Sequence, residues 1–232
     1  MTLEDRIIFV DGEAIVIDKP AGLPVDAPRA GGPSIEARIQ ELCLNFARPP
    51  VAMHRLDTDT SGCLLFARNA NARKVFQQAF ETGTVEKSYM AVVEGVPEGT
   101  EGVIDLKLAK FSTAATGWKM VPDEAGKHAR TRWRLVGTIG KRSLVEFVPE
   151  TGRTHQIRVH AARGLGCPIV GDPVYSDRDY DAEADLTDGV GDGMLLHART
   201  LKVPRGKKPT VEAVAPMPER FGVFLDLLSD EA

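Results

Sequence analysis

Residues 54–66 read His54-Arg55-Leu56-Asp57-Thr58-Asp59-Thr60-Ser61-Gly62-Cys63-Leu64-Leu65-Phe66. A histidine, an arginine, two carboxylates and three hydroxyl groups thus precede a short apolar run. Small hydroxyl residues and a glycine suit a tight turn that leads into a buried strand, and functional side chains often lie on such loops. The same residues also suit a polar turn whose side chains bond only to their own backbone. The residue types alone leave both interpretations open.

Outward from this turn, the apolar patterns predict more strands than helices. A hairpin is indicated where Asp11-Gly12 separates two apolar runs. Helices are predicted over 34–46, capped by Ser34, over 70–82, over 154–164 and from Pro218 onward. In the helix over 70–82, the inward positions are Val75, Phe76, Ala79 and Phe80. Strands are predicted at 88–93, 103–108, 129–136, 144–148 and 195–203.

Strands follow strands in this pattern more often than they alternate with helices. We therefore expect an α+β fold with a mixed, largely antiparallel central sheet flanked by helices and loops. The segment 177–193 is rich in Asp and Gly and poor in apolar residues. We interpret it as a mobile acidic loop inserted in the domain.

The composition sets limits on the function. The chain has 232 residues and a formal net charge of −4, which argues mildly against a nucleic-acid partner unless positive charge gathers on one face. No apolar stretch is long enough for a membrane span. Three cysteines far apart, without a CxxC pair, predict free thiols and a cytoplasmic location rather than a disulfide framework or a zinc site.

A second polar cluster reads Thr151-Gly152-Arg153-Thr154-His155-Gln156-Ile157-Arg158-Val159-His160. If a helix begins near Thr154, His155 and Arg158 share one of its faces. An exposed basic helix end with ordinary salt bridges explains the composition equally well.

Two predicted strands carry further candidates. Arg130, Arg132 and Arg134 alternate along one strand and form a basic ridge that suits RNA phosphates, although it also suits the wet face of an antiparallel strand. Tyr89 lies on another strand and shares a face with Ala91 and Val93. A core tyrosine would look the same.

The motifs together resemble those of the RluA family of RNA pseudouridine synthases. The segment 54–62 is similar to the family's HRLDxxTSG signature, and residues 152–160 match its GRTHQIRVH motif. Residues 87–91 resemble KxYxA, and residues 18–23 resemble the NKPxGL turn with Asp18 in place of Asn. The resemblance covers about residues 7–203 and implies the pseudouridine synthase fold with an active-site cleft across the sheet.

The resemblance also implies the roles of single residues. Asp57 matches the essential nucleophile, Arg158 the arginine that pairs with it, and Tyr89 the tyrosine that packs on the target uracil. We expect the RNA contacts to come from His54, Arg55, Arg153, His155, Arg130, Arg132 and Arg134. The reaction requires no cofactor and no metal.

The early position of Lys19-Pro20 resembles short family members without an N-terminal S4 domain. We therefore expect one catalytic domain over 1–232 with a core of about 7–228. It would act as a monomer on a tRNA or rRNA stem-loop, without a membrane or an obligate protein partner.

Three alternatives remain at this point. Residues 57–60 imitate the DxDxT loop of Mg²⁺-dependent phosphohydrolases, but His54 and Arg55 interrupt the apolar strand that should precede it. A non-catalytic RNA-binding or RNA-folding protein on the same fold would keep the ridge and leave Asp57 idle. A histidine metal site would need ligand spacing that the five histidines lack.

Overall fold

The computed structural model describes residues 1–113, 117–176 and 191–231. The strands are β1 (Ile7–Val10), β2 (Ala14–Lys19), β3 (Val51–Ala52), β4 (Ser61–Ala67), β5 (Glu86–Glu94), β6 (Glu101–Asp105), β7 (Leu108–Thr113), β8 (Gly117–Pro122), β9 (Arg130–Ile139), β10 (Arg142–Pro149), β11 (Leu196–Arg205) and β12 (Lys208–Val214). The helical segments are α1 (Ala70–Glu81), α2 (Gln156–Val159), a π-helical turn (His160–Gly164) and 3-10 segments at Glu4–Arg6, Glu36–Leu42 and Glu219–Glu231. The chain divides into two compact units, one of residues 1–87 and 197–216 and one of residues 88–196 and 217–232.

The first unit is a mixed sheet covered by α1. Strand β2 pairs antiparallel with β1 and β4, β3 pairs antiparallel with β4, and β11 pairs antiparallel with β12, whereas β4 and β11 run parallel. Every residue of β4 is buried, as expected for a strand covered on both faces. Phe76 and Ala79 of α1 pack against Leu65 and Val203 in the core of this unit.

The parallel contact between β4 and β11 is unusually close. Ser61 pairs with His197 and Gly62 with Ala198, and Ser61 Oγ lies 2.9 Å from His197 Nδ1. Gly62 has a φ of 106°, and a Cβ added there would overlap the carbonyl group of Ala198. A glycine is therefore required at the point where the residue 54–61 segment enters the core.

The second unit contains an antiparallel sheet of order β5-β10-β9-β6 and the separate hairpin β7–β8. Strand β5 is covered on both faces. Ala91 and Val93 pack in one cluster with Phe147, whereas Met90 and Val92 pack in another with the C-terminal 3-10 segment. Phe221 and Phe224 of that segment are fully buried.

The predicted α+β class with a mixed, largely antiparallel sheet is confirmed, and several boundaries differ. The helix predicted over 34–46 is a short 3-10 segment. Ser34 accepts the Ala37 N–H as predicted, but Leu44 takes a left-handed φ of 49° and ends the regular structure. Val75, predicted to face inward on α1, is 41% exposed. The strand predicted at 103–108 ends at Asp105.

Two predictions stay open. Most of the acidic loop predicted at 177–193 lies outside the described residues. The single domain over 1–232 stays a prediction beside the two units described above.

The close contact at Gly62 generates a stability prediction. Gly62→Ala should lower the free energy of unfolding by at least about 2 kcal/mol, because it adds backbone strain and a steric clash at one site. Urea unfolding measures this change. Gly12→Ala is the control, since an added Cβ there meets nothing within 4 Å. Equal stability of the two variants would contradict the requirement for glycine.

Candidate active site

Asp57 lies on the turn between β3 and β4. The carbonyl of Asp57 accepts the N–H of Thr60 at 3.1 Å, which closes the turn. Leu56 and Thr60 are buried, while Asp57 itself is half-buried. The carboxylate thus lies on a rigid support at the start of a strand that is buried throughout.

The main support of this turn is a buried ammonium group. Lys19 is fully buried at the end of β2, and its Nζ donates to the carbonyls of Pro20 (2.8 Å), Leu23 (2.8 Å) and Thr58 (2.9 Å). The N–H of Gly22 reaches the same Thr58 carbonyl at 2.9 Å. Residues 19–23 and the Asp57 turn are therefore held together as one body.

Sequence reasoning gave Lys19 no role of its own. A lysine that follows four apolar residues and Asp18 at the end of a strand, directly before proline, is the signal that was available. An ammonium in that position must find carbonyl partners if it is to stay buried.

His54 supports the turn from the other side. The Leu65 N–H of β4 donates to His54 Nε2 at 3.1 Å, and the imidazole packs tilted against Phe80 with ring centroids 5.2 Å apart. Burial, followed by the charge of Lys87, lowers the pKa of His54 to about 3. These contacts describe a neutral positioning residue, and the predicted contact of His54 with RNA is not needed to explain them. The neighbouring Arg55 is largely exposed and bonds Asp26 at 2.8 Å.

In the second unit, Arg158 lies on α2 and is held by a buried carboxylate. Its Nε and Nη2 donate to the two carboxylate oxygens of Asp172 at 2.7 and 2.8 Å. Asp172 is inaccessible and also accepts the N–H groups of Val174 and Tyr175. Such a bidentate pair fixes the plane of the guanidinium. Sequence reasoning missed Asp172, although a lone carboxylate in the apolar, glycine-rich segment 166–175 was a usable signal.

His155 and Arg153 begin the same segment. His155 has a left-handed φ of 52°, stacks on Trp118 and lies 2.8 Å from the Tyr175 hydroxyl through Nδ1. Arg158 lies over the ring of Tyr175, so His155 and Arg158 both contact Tyr175. Arg153 donates through Nε to the carbonyl of His128.

Tyr89 is half-buried on β5, opposite Phe147 of β10. It packs with the cluster that contains Ala91 and Val93, which confirms the predicted shared face. One side of its ring therefore packs on that cluster, and the side chain stays partly exposed.

The predicted basic ridge on β9 is exposed, but its arginines have carboxylate partners. Glu150 lies 3.2 Å from Arg130 and 3.1 Å from Arg132, and Glu146 lies 3.2 Å from Arg134. Exposed pairs of this kind contribute about 0–1 kcal/mol to stability. A phosphate that binds one of these arginines would therefore replace a carboxylate whose ion pair contributes little free energy.

Comparison with known proteins identifies the family. Residues 13–163 match the family model described as RNA pseudouridylate synthase. The chain belongs to the RNA pseudouridylate synthase family. Its resemblance to the RluA type is thereby confirmed, and so is its class as an RNA pseudouridine synthase, an isomerase.

Individual relatives agree with this assignment. An uncharacterised RNA pseudouridine synthase of Zymomonas mobilis is 50% identical over 94% of this chain and 96% of its own length. The ribosomal large subunit pseudouridine synthase C of Rickettsia bellii is 34% identical over 91% of this chain and 69% of its own length. The structure of human RNA pseudouridylate synthase domain containing 4 superposes with a TM-score of 0.79 at 29% identity, over 98% of this chain and 94% of that chain.

The family assignment removes the phosphohydrolase alternative. The strand before Asp57 has only two residues, and the order of strands lacks the alternation with helices that a DxDxT phosphatase requires. Within the described residues, no group of three or more His, Cys, Asp or Glu side chains is arranged to hold a metal ion. Those residues also contain no helix long and apolar enough to cross a membrane.

The buried pair of Arg158 and Asp172 generates a stability prediction. Asp172→Asn should lower the free energy of unfolding by about 3–5 kcal/mol, because the buried guanidinium loses the carboxylate that accepts two of its hydrogen bonds. Asp26→Asn is the matched control. It removes the partner of the exposed Arg55 and should cost about 1 kcal/mol or less. Equal losses in urea unfolding would contradict the role given to Asp172.

The low pKa values of two histidines generate a pH prediction. The pKa of His54 falls to about 3, and burial lowers that of the fully buried His160 to about 4. Both values lie below about 6.5, the usual pKa of an unfolded-chain histidine, so the unfolded state takes up protons first as the pH falls. Stability should therefore decrease from about pH 6.5 downward.

The variant that tests this is His54→Gln, whose side-chain oxygen can accept the Leu65 N–H. Its loss of stability between pH 7 and pH 5, measured by urea unfolding, should be smaller than that of the wild type. His128→Gln, at an exposed histidine, is the control. An unchanged loss in His54→Gln would mean that folding does not lower the pKa of His54.

Proposed function

We propose that this protein isomerises a specific uridine of a structured RNA to pseudouridine, with Asp57 as the reacting carboxylate. The observation that carries the proposal is the way in which the turn of Asp57 is held in place. The carboxylate is half-buried on a turn whose backbone is tied to the fully buried Lys19 ammonium. A reacting group must be held within a fraction of an ångström of its productive position. The hydrogen bond from Lys19 to the Thr58 carbonyl supports that requirement, because it restrains the backbone next to Asp57.

The reaction exchanges one bond for another. The bond between uracil N1 and ribose C1′ breaks, a bond from uracil C5 to C1′ forms, and the C5 proton leaves while N1 gains one. Asp57 acts as nucleophile or as electrostatic partner at the sugar, a recognised use of carboxylates. The exchange involves no net oxidation and no phosphoryl transfer, so the proposal includes no cofactor.

We assign the supporting roles to Tyr89 and Arg158. Tyr89 offers a partly exposed aromatic ring, on which a flipped uracil can pack. We assign Arg158 the part of the arginine that, by the resemblance to the family, pairs with the reacting carboxylate. The bidentate bond of Arg158 with Asp172 limits its motion.

The proposed substrate is a tRNA or rRNA stem-loop. The name of the Rickettsia bellii relative supports the large-subunit rRNA as one candidate. We assign the RNA contacts to Arg130, Arg132, Arg134, Arg55, Arg153 and His155, while His54 acts through the turn that it supports. That the protein works as a monomer in the cytoplasm stays a prediction.

Tritium release from RNA labelled at uridine C5 tests the proposal. Transcripts of tRNAs and rRNA stem-loops are incubated with protein in the presence of EDTA. The wild type should release tritium from at least one transcript, and Asp57→Asn should reduce release to background because the reacting carboxylate is gone.

Asp59→Asn is the matched control. It neutralises a second half-buried carboxylate on the same turn and should retain release. Wild-type protein that binds RNA but releases no tritium would support the non-catalytic RNA-binding alternative. Equal release by Asp57→Asn would remove Asp57 from the reaction.

A further inference from the structure

The hairpin β7–β8 presents an exposed aromatic ring on each face. Lys110 pairs with Met120 and Ser112 with Trp118 across the two strands, whereas Phe111 pairs with Lys119. Because directly opposed residues share a face, Trp118 lies on the face of Lys110, and Phe111 lies on the other. Trp118 is 46% exposed and Phe111 48%.

Trp118 differs from Phe111 in being held by a second ring. The imidazole of His155 stacks on it with ring centroids 5.1 Å apart and an angle of 29° between the planes. His155 adopts its left-handed backbone, with a φ of 52°, in the position that makes this contact. A non-glycine residue in that region costs about 1 kcal/mol or more, and such strain concentrates at functional sites.

The stack continues into the interior of the second unit. His155 Nδ1 lies 2.8 Å from the hydroxyl of the buried Tyr175, and that hydroxyl accepts the Met120 N–H of β8 at 3.0 Å. The guanidinium carbon of Arg158 lies 5.2 Å from the Tyr175 ring centroid. Trp118, His155, Tyr175 and Arg158 therefore form one connected series of stacked and hydrogen-bonded groups.

The charge on the hairpin indicates what the exposed ring would bind. Residues 108–122 contain two lysines and no acidic residue. The ammonium of Lys110 lies 5.0 Å from the Trp118 ring centroid. An exposed aromatic ring beside lysine is the combination by which proteins bind single-stranded nucleic acid, since the ring stacks on a base while the cation attracts a phosphate.

We propose that Trp118 is a stacking platform for an unpaired base in the loop of the RNA substrate. The inference rests on the proposed function for the identity of the polymer and adds that single-stranded loop nucleotides are recognised. Lys110 attracts the phosphate of that nucleotide. His155 and Tyr175 fix the position of the Trp118 ring relative to Arg158.

Binding measurements separate this role from catalysis. The probes are a fluorescein-labelled stem-loop RNA with an unpaired loop, the same stem-loop with abasic loop positions, and a blunt duplex of matched length. Trp118→Ala should weaken binding of the stem-loop by about 5- to 100-fold, the loss expected for one stacked base. It should leave binding of the abasic stem-loop and the duplex unchanged.

Phe111→Ala is the matched control, because it removes an equally exposed ring from the opposite face of the same hairpin. It should bind all three probes like the wild type. Trp118→Phe keeps an aromatic face and should restore most of the loop binding. Circular dichroism and thermal unfolding verify that each variant is folded.

Tryptophan emission gives a second, independent measurement. The chain has two tryptophans, and Trp133 is buried at 7% exposure, so quenching by a stacked base should come from Trp118. The stem-loop should quench emission of the wild type, and the abasic stem-loop should not. This readout stays available if Trp118→Ala fails to fold.

Three results would overturn the proposal. The first is full binding of the stem-loop by folded Trp118→Ala. The second is an equal weakening of binding to all three probes in that variant. The third is an absence of quenching by the intact stem-loop. The first result would indicate that Trp118 binds another partner, such as a peptide. Tritium release by the wild type is measured separately, so failure of the isomerase proposal and failure of the stacking proposal give different results.

Discussion

A buried ammonium group fixes the position of the Asp57 turn. Transfer of an unpaired lysine charge to the interior is very costly, and three carbonyl groups offset that cost in this protein. Because one carbonyl belongs to residues 54–61 and two to residues 20–23, a shift of either segment would break at least one of these hydrogen bonds. The close approach of Gly62 to Ala198 and the bond from Leu65 to His54 then determine how the turn enters β4.

In the second unit, a buried charged group also fixes a functional side chain, but here the buried group is a carboxylate. A buried carboxylate, Asp172, holds a guanidinium and two backbone N–H groups, and so determines the orientation of Arg158. Removal of either partner leaves a buried charge, which makes such pairs rigid rather than strongly stabilising. The exposed pair of Arg55 and Asp26 has one bond of 2.8 Å, and water can replace either partner.

The sequence was informative where one residue type imposes one local structure. The turn at 54–62, the helix α1 with its buried Phe76, and the alternation of arginines on β9 follow from periodicity and turn chemistry. The partners Lys19, Asp172 and Trp118 do not, because their roles come from contacts between segments far apart in the chain. The helix predicted at 34–46 is a shorter 3-10 segment in the structure. Apolar spacing alone cannot distinguish a 3-10 turn from an α-helix. Glu146 lies within β10 and Glu150 directly after it, and nothing in the sequence pattern assigned either glutamate to the arginines.

Those two glutamates change what the ridge on β9 can do. An RNA that engages Arg130, Arg132 or Arg134 must displace a carboxylate, and this competition offsets part of the favourable release of counterions from its phosphates. A polyanion that contacts this ridge alone therefore gains less free energy than it would from arginines without carboxylate partners. On the proposal that the ridge binds RNA, transcripts that touch only the ridge dissociate quickly, and residence time distinguishes them from an RNA that also forms contacts elsewhere.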